Sequence, residues 1–292
     1  MKVLAIDGGG IRGLIPALVL AEIERRTQRP IASLFDVVAG TSTGAILACA
    51  MTRPEPMPAA RAAELYEQEG PQIFHRSLIK EVTSIGGLID ERYDASGLVQ
   101  SLRRHLGGTR LAEATTALLI TTYDLEARQA LVLTRDDDMT MVDAAHASSA
   151  APTYFEPVRS GARTLIDGGV FAINPAMLAY AETGGHLDVL ASLGTGGHTR
   201  PLHFAEVKDW GQLEWARPII DVVFDGSADA VDRELASLVD GRYMRLQPRL
   251  DDASDALDDA SPANLKALRR VAERLIADRS ADIDRLCAMV SE

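Results

Sequence analysis

One stretch constrains this chain more than any other. Val37 to Leu47 reads VVAGTSTGAIL, an apolar run that stops at Gly40 and resumes at Ala45. Between them lies Gly-x-Ser-x-Gly, and its context predicts strand, sharp turn, helix. A serine on such a turn is pushed out of the sheet edge, with the following backbone N–H groups turned toward the reaction centre. The turn crowds its flanks, so residues without a Cβ are favoured at Gly40 and Gly44. Ser42 is therefore the candidate nucleophile, and Thr41 and Thr43 complete its elbow. The plainer alternative is a small-residue loop on which Ser42 only caps the next helix.

A second glycine turn precedes the elbow. Lys2 to Ile6 predicts a buried strand, Leu14 to about Arg26 a helix, and between them stands Asp7-Gly8-Gly9-Gly10-Ile11-Arg12-Gly13. A dinucleotide fingerprint at Gly8, Gly10 and Gly13 would want an acidic residue at the end of the next strand, about 20 residues on. That strand instead runs into the serine elbow. A phosphate loop of the Walker type would want Gly-Lys-Ser/Thr, which is missing. The remaining reading is an oxyanion hole, because glycine N–H groups at a helix N-terminus make an anion site. Arg12 then either holds the loop or meets an anionic headgroup.

The carboxylate comes from Asp167-Gly168-Gly169, at the end of a strand predicted over Arg163 to Ile166. Glycines there permit close backbone approach, so Asp167 is the candidate general base, with a turn-forming Asp-Gly pair as the bland alternative. A Ser-His-Asp triad would need a histidine after the acid. His186, His198 and His203 qualify by order, whereas His75, His105 and His146 precede it. A carboxylate whose pKa is tuned by burial can also act on serine directly. The residues alone leave dyad and triad open.

Charge and composition narrow the class. The 292 residues carry a net charge of −12, which argues against binding nucleic acid polymers or anionic membranes by simple attraction. Cys49 and Cys287 read as buried free thiols rather than a disulfide framework. The N-terminal apolar run leads straight into a glycine turn, unlike a signal peptide, so the expectation is a cytoplasmic protein, with a peripheral membrane location allowed. The acidic run Asp136-Asp137-Asp138 reads as a solvated loop, and no metal-ligand spacing is found. Further strands are expected over Leu118–Leu125, Ala130–Thr134, Asp188–Leu193 and Arg242–Leu246. Leu213 to Val239 reads as helical, with breaks near Pro218 and Gly226. Asp251 to Asp259 reads as a solvated turn. Asn264–Asp278 and Asp282–Val290 read as amphipathic helices over the sheet. Small residues from Ala147 to Ala151 let a helix pack closely on the elbow, with Ser148 and Ser149 as structural residues. The apolar stretch Pro71 to Arg92 is either a lid or lipid-contact segment or an ordinary packed connection. No repeat or linker divides the chain, so one domain over 1–292 is expected, with a motif-bearing core over 1–200 and a helical covering segment from about 205.

Taken in order, Asp7–Gly13, Gly40–Gly44, the ASSAAPTYF run from Ala147 to Phe155 and Asp167–Gly169 resemble the patatin-like phospholipases. Ser192-Leu193-Gly194-Thr195-Gly196 is similar to a later family segment. The likeness covers residues 1 to about 200. It implies an α/β fold, a three-layer α/β/α sandwich around a central, mainly parallel sheet. It implies a Ser42–Asp167 dyad without histidine, an oxyanion hole drawn from Gly8, Gly9, Gly10, Ile11, Arg12 and Gly13, and neither metal nor cofactor. The implied reaction is hydrolysis of fatty-acyl esters of phospholipids or related lipids through an acyl-serine, with a lipid substrate, a membrane surface as partner and room for a homo-oligomer. Alternatives are a nucleotide-gated phospholipase effector of bacterial defence and a non-catalytic nucleotide- or lipid-binding module. Asn174 and His146 stand where the family often differs, which bears on the pocket only.

Overall fold

In the computed structural model, which describes residues 1–74, 93–197, 201–215, 218–239 and 241–292, the apolar run after Met1 forms β1 (Lys2–Ile6). Its alternate side chains enter two different cores. Leu4 and Ile6 join one apolar cluster, Val3 and Ala5 the other. A strand buried on both faces belongs in the middle of a sheet with helices on either side. The glycine turn continues as a 3-10 turn over Gly10–Gly13 into α1 (Leu14–Thr27), whose Pro16 falls in the first turn, where a missing N–H is harmless.

The chain continues through β2 (Val37–Gly40), α2 (Thr43–Thr52), α3 (Ala59–Ile73), α4 (Ser96–Leu106), β3 (Ala117–Asp124), β4 (Gln129–Leu133) and α5 (Met141–Ser148). Thr140 caps α5 by accepting the Asp143 N–H. Then follow β5 (Val158–Ser160), β6 (Arg163–Asp167), α6 (Gly169–Ala172), α7 (Ala176–Glu182), β7 (Val189–Leu193), α8 (Phe204–Val207), α9 (Gln212–Trp215), α10 (Pro218–Leu238), β8 (Tyr243–Leu246), α11 (Pro262–Asp278) and α12 (Ser280–Ser291). The sheet order is β5-β6-β3-β2-β1-β7-β8, with β4 also paired to β3. β3-β2-β1-β7-β8 is parallel throughout, and β4, β5 and β6 add antiparallel pairs. Leu14, Leu20, Leu47 and Leu268 share one core with Leu4 and Ile6; Ala176, Ala179 and Leu235 share the other with Val3 and Ala5. This is the three-layer α/β/α sandwich implied by the resemblance.

One detail of pairing places the chemistry. Ile120 of β3 pairs with both Gly40 and Leu133, and Thr122 pairs with both Asp167 and Leu131. β4 follows one edge of β3 along both positions, so β2 and β6 share the other edge end to end. Their ends meet two residues apart along β3, one carrying the serine elbow and the other Asp167.

Several expectations are corrected. α10 runs unbroken through Gly226, where a side chain would meet open space. α11 packs chiefly on α1 rather than directly on the sheet. The stretch around Asp251 to Asp259 is not merely solvated: Leu257 is buried and its carbonyl accepts the Ile11 N–H at 2.9 Å. Of the stretch Pro71 to Arg92, read as a lid or lipid-contact segment or a packed connection, residues 75–92 lie outside the described residues. Among the described residues no helix is long and apolar enough to cross a membrane.

Candidate active site

At the end of β2 the chain turns so sharply that Ser42 takes φ 55 and ψ −120. A serine rarely adopts such a backbone, and strain of this kind persists only where the surroundings hold it. The surroundings are specific. A Cβ at Gly40 would strike the Gly44 carbonyl, and one at Gly44 would strike the Ile6 carbonyl of β1. Thr41 fastens the turn from below: its hydroxyl bonds Thr121 Oγ1 and donates to the Ala172 carbonyl, each at 2.7 Å. Thr43 Oγ1 bonds the Tyr66 hydroxyl of α3. The Ser42 side chain makes no helix-capping bond, so the capping alternative fails. Its N–H donates to Ser148 Oγ at 2.9 Å, which leaves the hydroxyl for other work.

Asp167 is buried. Its N–H donates to the Ala150 carbonyl at 3.0 Å, and its Oδ1 accepts the Gly169 N–H at 2.7 Å. Burial pushes its carboxyl up from 3.8 to about 7, against the opposing influence of the Ser42 hydroxyl and the Gly169 N–H. The Ser42 hydroxyl is thus close enough to favour the carboxylate, yet no bond of regular geometry joins them, and among the described residues the buried Oδ2 has no partner. The two groups stand side by side with the acceptor still open, a looseness common before substrate is bound.

The glycine loop faces the same point. Gly8 donates its N–H to the Ile173 carbonyl, Ile11 to Leu257 and Arg12 to Gly9. Among the described residues the Gly9 and Gly10 N–H groups have no acceptor, and both residues line the cavity that holds Ser42 and Asp167. Gly10 has φ 56 and a Cβ there would strike the Leu257 carbonyl, so the position requires glycine. Arg12 is buried and its Nε donates to the Gly9 carbonyl at 3.3 Å, a position inside the loop rather than at a surface. Gly13 packs against Thr43 and Tyr66, and Gly168 against Thr121.

From this floor a cavity of about 1050 Å³, open mouth included, extends between α2, α3 and α4. Ile46, Leu47, Ala50, Leu98 and Leu102 line its walls, and His105 and Glu69 line it too. His105 Nε2 is bonded to Glu69 Oε1 at 2.9 Å. Among the described residues no histidine is bonded to Ser42 or Asp167, and neither His186 nor His203 lines the cavity; His75 and His198 lie outside the described residues. No group of residues among those described could hold a metal ion.

Sequence reasoning missed the residues that brace the glycine loop from the far half of the chain. Arg245 of β8 makes a buried bidentate ion pair with Asp7, Nη1 to Oδ1 at 2.9 Å and Nη2 to Oδ2 at 2.5 Å, and also donates to Ser192 Oγ at 2.8 Å. Thr195 donates to the Gly8 carbonyl at 2.6 Å. Gln247 accepts the Gly196 N–H at 3.0 Å. Ser148, read as a packing residue, is the acceptor for the Ser42 N–H. The only sequence signal was an arginine within an otherwise apolar alternation from Tyr243 to Leu246, an inward-facing charge that must find a partner.

Comparison with known proteins places the chain in a family. The family model described as patatin-like phospholipase matches residues 4–180. Patatin-like protein 2 of Arabidopsis thaliana is 33% identical over 336 aligned positions, covering 94% of this chain and 83% of its own length. Patatin-04/09 of Solanum tuberosum is 31% identical over 330, with the same coverages. Among solved structures, VipD from Legionella pneumophila matches at a TM-score of 0.44 and 12% identity over 95% of this chain and 67% of that one, a likeness too distant to add to the sequence match.

Proposed function

Since the chain belongs to the patatin-like phospholipase family, we propose that it is a lipid acyl hydrolase of the phospholipase A type, working through a Ser42–Asp167 dyad. The Ser42 hydroxyl attacks the acyl carbonyl and its proton passes to Asp167. The Gly9 and Gly10 N–H groups receive the oxyanion, and fixed donors of this kind are each worth about 100- to 1,000-fold in rate. Collapse expels the alcohol, which takes the proton from Asp167, and leaves an acyl-Ser42 ester. Water then attacks that ester, again giving a proton to Asp167, and the fatty acid departs as Ser42 recovers its hydrogen. The apolar cavity receives the acyl chain, and the substrate comes from a lipid surface. No cofactor takes part.

The observation that carries this reading is the open Oδ2 of Asp167, buried beside a serine held on a strained elbow. A base near pH 7 is matched to abstracting and returning a proton at neutral pH. Fluorophosphonate labelling with peptide mapping tests it. The folded protein is expected to be labelled at Ser42, Ser42→Ala to be blank, and Asp167→Asn to label at least about 100-fold more slowly. Label at another residue, or undiminished label in Asp167→Asn, would refute the dyad.

A further inference from the structure

We propose that Ser149 is a further catalytic residue, whose hydroxyl holds the water that hydrolyses the acyl-Ser42 intermediate; the proposal rests on the serine hydrolase reading above. Three consecutive residues carry the argument. Ser148 Oγ accepts the Ser42 N–H, and the Ala150 carbonyl accepts the Asp167 N–H. The residue between them is thereby held beside both members of the dyad. Ser149 lines the same cavity as Ser42 and Asp167, is buried, and among the described residues its Oγ has no hydrogen-bond partner. A buried hydroxyl without a partner weakens a fold, and alanine, which stands nearby at 147 and 150, would remove that penalty. His146, Thr153, Asn174 and Arg53 also have unpartnered buried polar atoms, but none of them lines the cavity. Ser149 and Asp167 alone among these residues share it.

The second half of the reaction needs such a group. While Ser42 is free, its hydroxyl is the side-chain group that favours the Asp167 carboxylate. Once Ser42 is acylated its oxygen has no hydrogen, and Asp167 Oδ2 must take its proton from water. A water in a buried polar niche requires at least two partners to be held. Asp167 Oδ2 accepts one O–H and Ser149 Oγ accepts the other, leaving a lone pair directed at the acyl carbon. In the step itself the first O–H bond breaks and its proton goes to Asp167, while the water oxygen bonds to the acyl carbon. The tetrahedral species then collapses, the bond to Ser42 Oγ breaks, and Asp167 returns the proton to that oxygen. Ser149 exchanges no proton.

Acylation does not use this water, so Ser149→Ala separates the two halves. With p-nitrophenyl butanoate, Ser149→Ala is expected to release a burst of about one nitrophenolate per protein, followed by turnover slowed about tenfold or more, as for the loss of one hydrogen bond to a reacting water. kcat and KM fall together and kcat/KM holds within about twofold, because that ratio reports acylation. After rapid removal of ester, intact mass follows the butanoyl-Ser42 adduct decaying correspondingly more slowly than in wild type. Ser149→Cys keeps the shape with a poorer hydrogen bond and falls between the two, and it supplies the measurement if the alanine variant does not fold. Adduct decay at the wild-type rate in a folded variant overturns the proposal, as does a fall in kcat/KM without accumulated adduct. Turnover with no acyl-Ser42 in either the wild type or Ser149→Ala, together with no fluorophosphonate label at Ser42, would instead strike at the dyad.

Discussion

Asp167→Asn separates the energetic burden of the buried base from its use. In the folded protein this carboxyl keeps its proton until about pH 7, whereas an unfolded chain releases it near 3.8. Between those values the folded state binds more protons than the unfolded one. Stability therefore falls as pH rises through the window, and the term reaches about 4 kcal/mol once both states are ionised. Asparagine cannot ionise, so the variant lacks this decline. Its side-chain oxygen can keep the Gly169 N–H, while its NH2 replaces the unpartnered Oδ2, a constant offset of about 1–3 kcal/mol in either direction. The readout is thus a slope. Urea unfolding of both proteins from pH 4 to 8.5 should show the difference in unfolding free energy moving by about 4 kcal/mol in favour of Asp167→Asn as pH rises, with m unchanged. Curves that stay parallel across that range would refute the burial argument. The catalytic arm has the opposite sign: wild-type kcat/KM on a soluble ester should rise about tenfold per pH unit below 7 and level off above, while the variant stays low and flat.

Two further substitutions probe the surroundings. Arg245→Met leaves Asp7 as an uncompensated buried charge, a loss of about 3–5 kcal/mol in stability. If Arg245 positions the glycine loop, Arg245→Lys should also lower kcat at unchanged KM and weaken a trifluoromethyl ketone inhibitor in proportion; a lowered Tm with kcat intact would leave it a structural role only. Ala50→Phe narrows the cavity wall and should reduce kcat/KM for hexadecanoyl esters by about tenfold or more, as expected if overpacking costs 1–3 kcal/mol there, while butanoyl esters stay within about threefold. Equal losses on both esters would mean that the acyl chain lies elsewhere.

The elbow was legible in the sequence because its constraints are local. Gly40 and Gly44 are excluded from carrying side chains by atoms within a few residues or on the adjoining strand, and a strand-turn-helix pattern announces them. The parallel core was legible for the same reason, since β1, β2 and β7 are short apolar runs bounded by turns. Asp167 was found by its place at a strand end, but its neighbourhood was not: β6 reaches the elbow only because it shares an edge of β3 with β2, two pairings that together bring close residues more than a hundred apart in the chain. The far half of the chain was least legible. Leu257 acts through its backbone carbonyl, which any residue type would supply. Arg245 and Gln247 act through partners at Asp7 and Gly196, and nothing in their local pattern names those partners. Gly226 misled because a glycine on the open side of a long helix costs only about 1 kcal/mol, too little to break it.

Ser148 and Ser149 mark the limit most sharply. The two look alike in sequence, small and polar in a small-residue helix end, and reading both as packing residues was reasonable. In the fold one hydroxyl is spent on the Ser42 N–H and the other is left open in the cavity. Their difference lies in which acceptors and donors remain unpaired once every neighbour has been satisfied, a property of the assembled structure rather than of either residue. The same holds for Asp167, where one oxygen is bonded and the other is open, and for the glycine loop, where the Gly8 and Ile11 N–H groups are taken but those of Gly9 and Gly10 have no acceptor among the described residues. The reactive point is where these unpaired groups converge. Sequence patterns locate the residues that can contribute them; burial and long-range pairing decide which atoms stay unpaired.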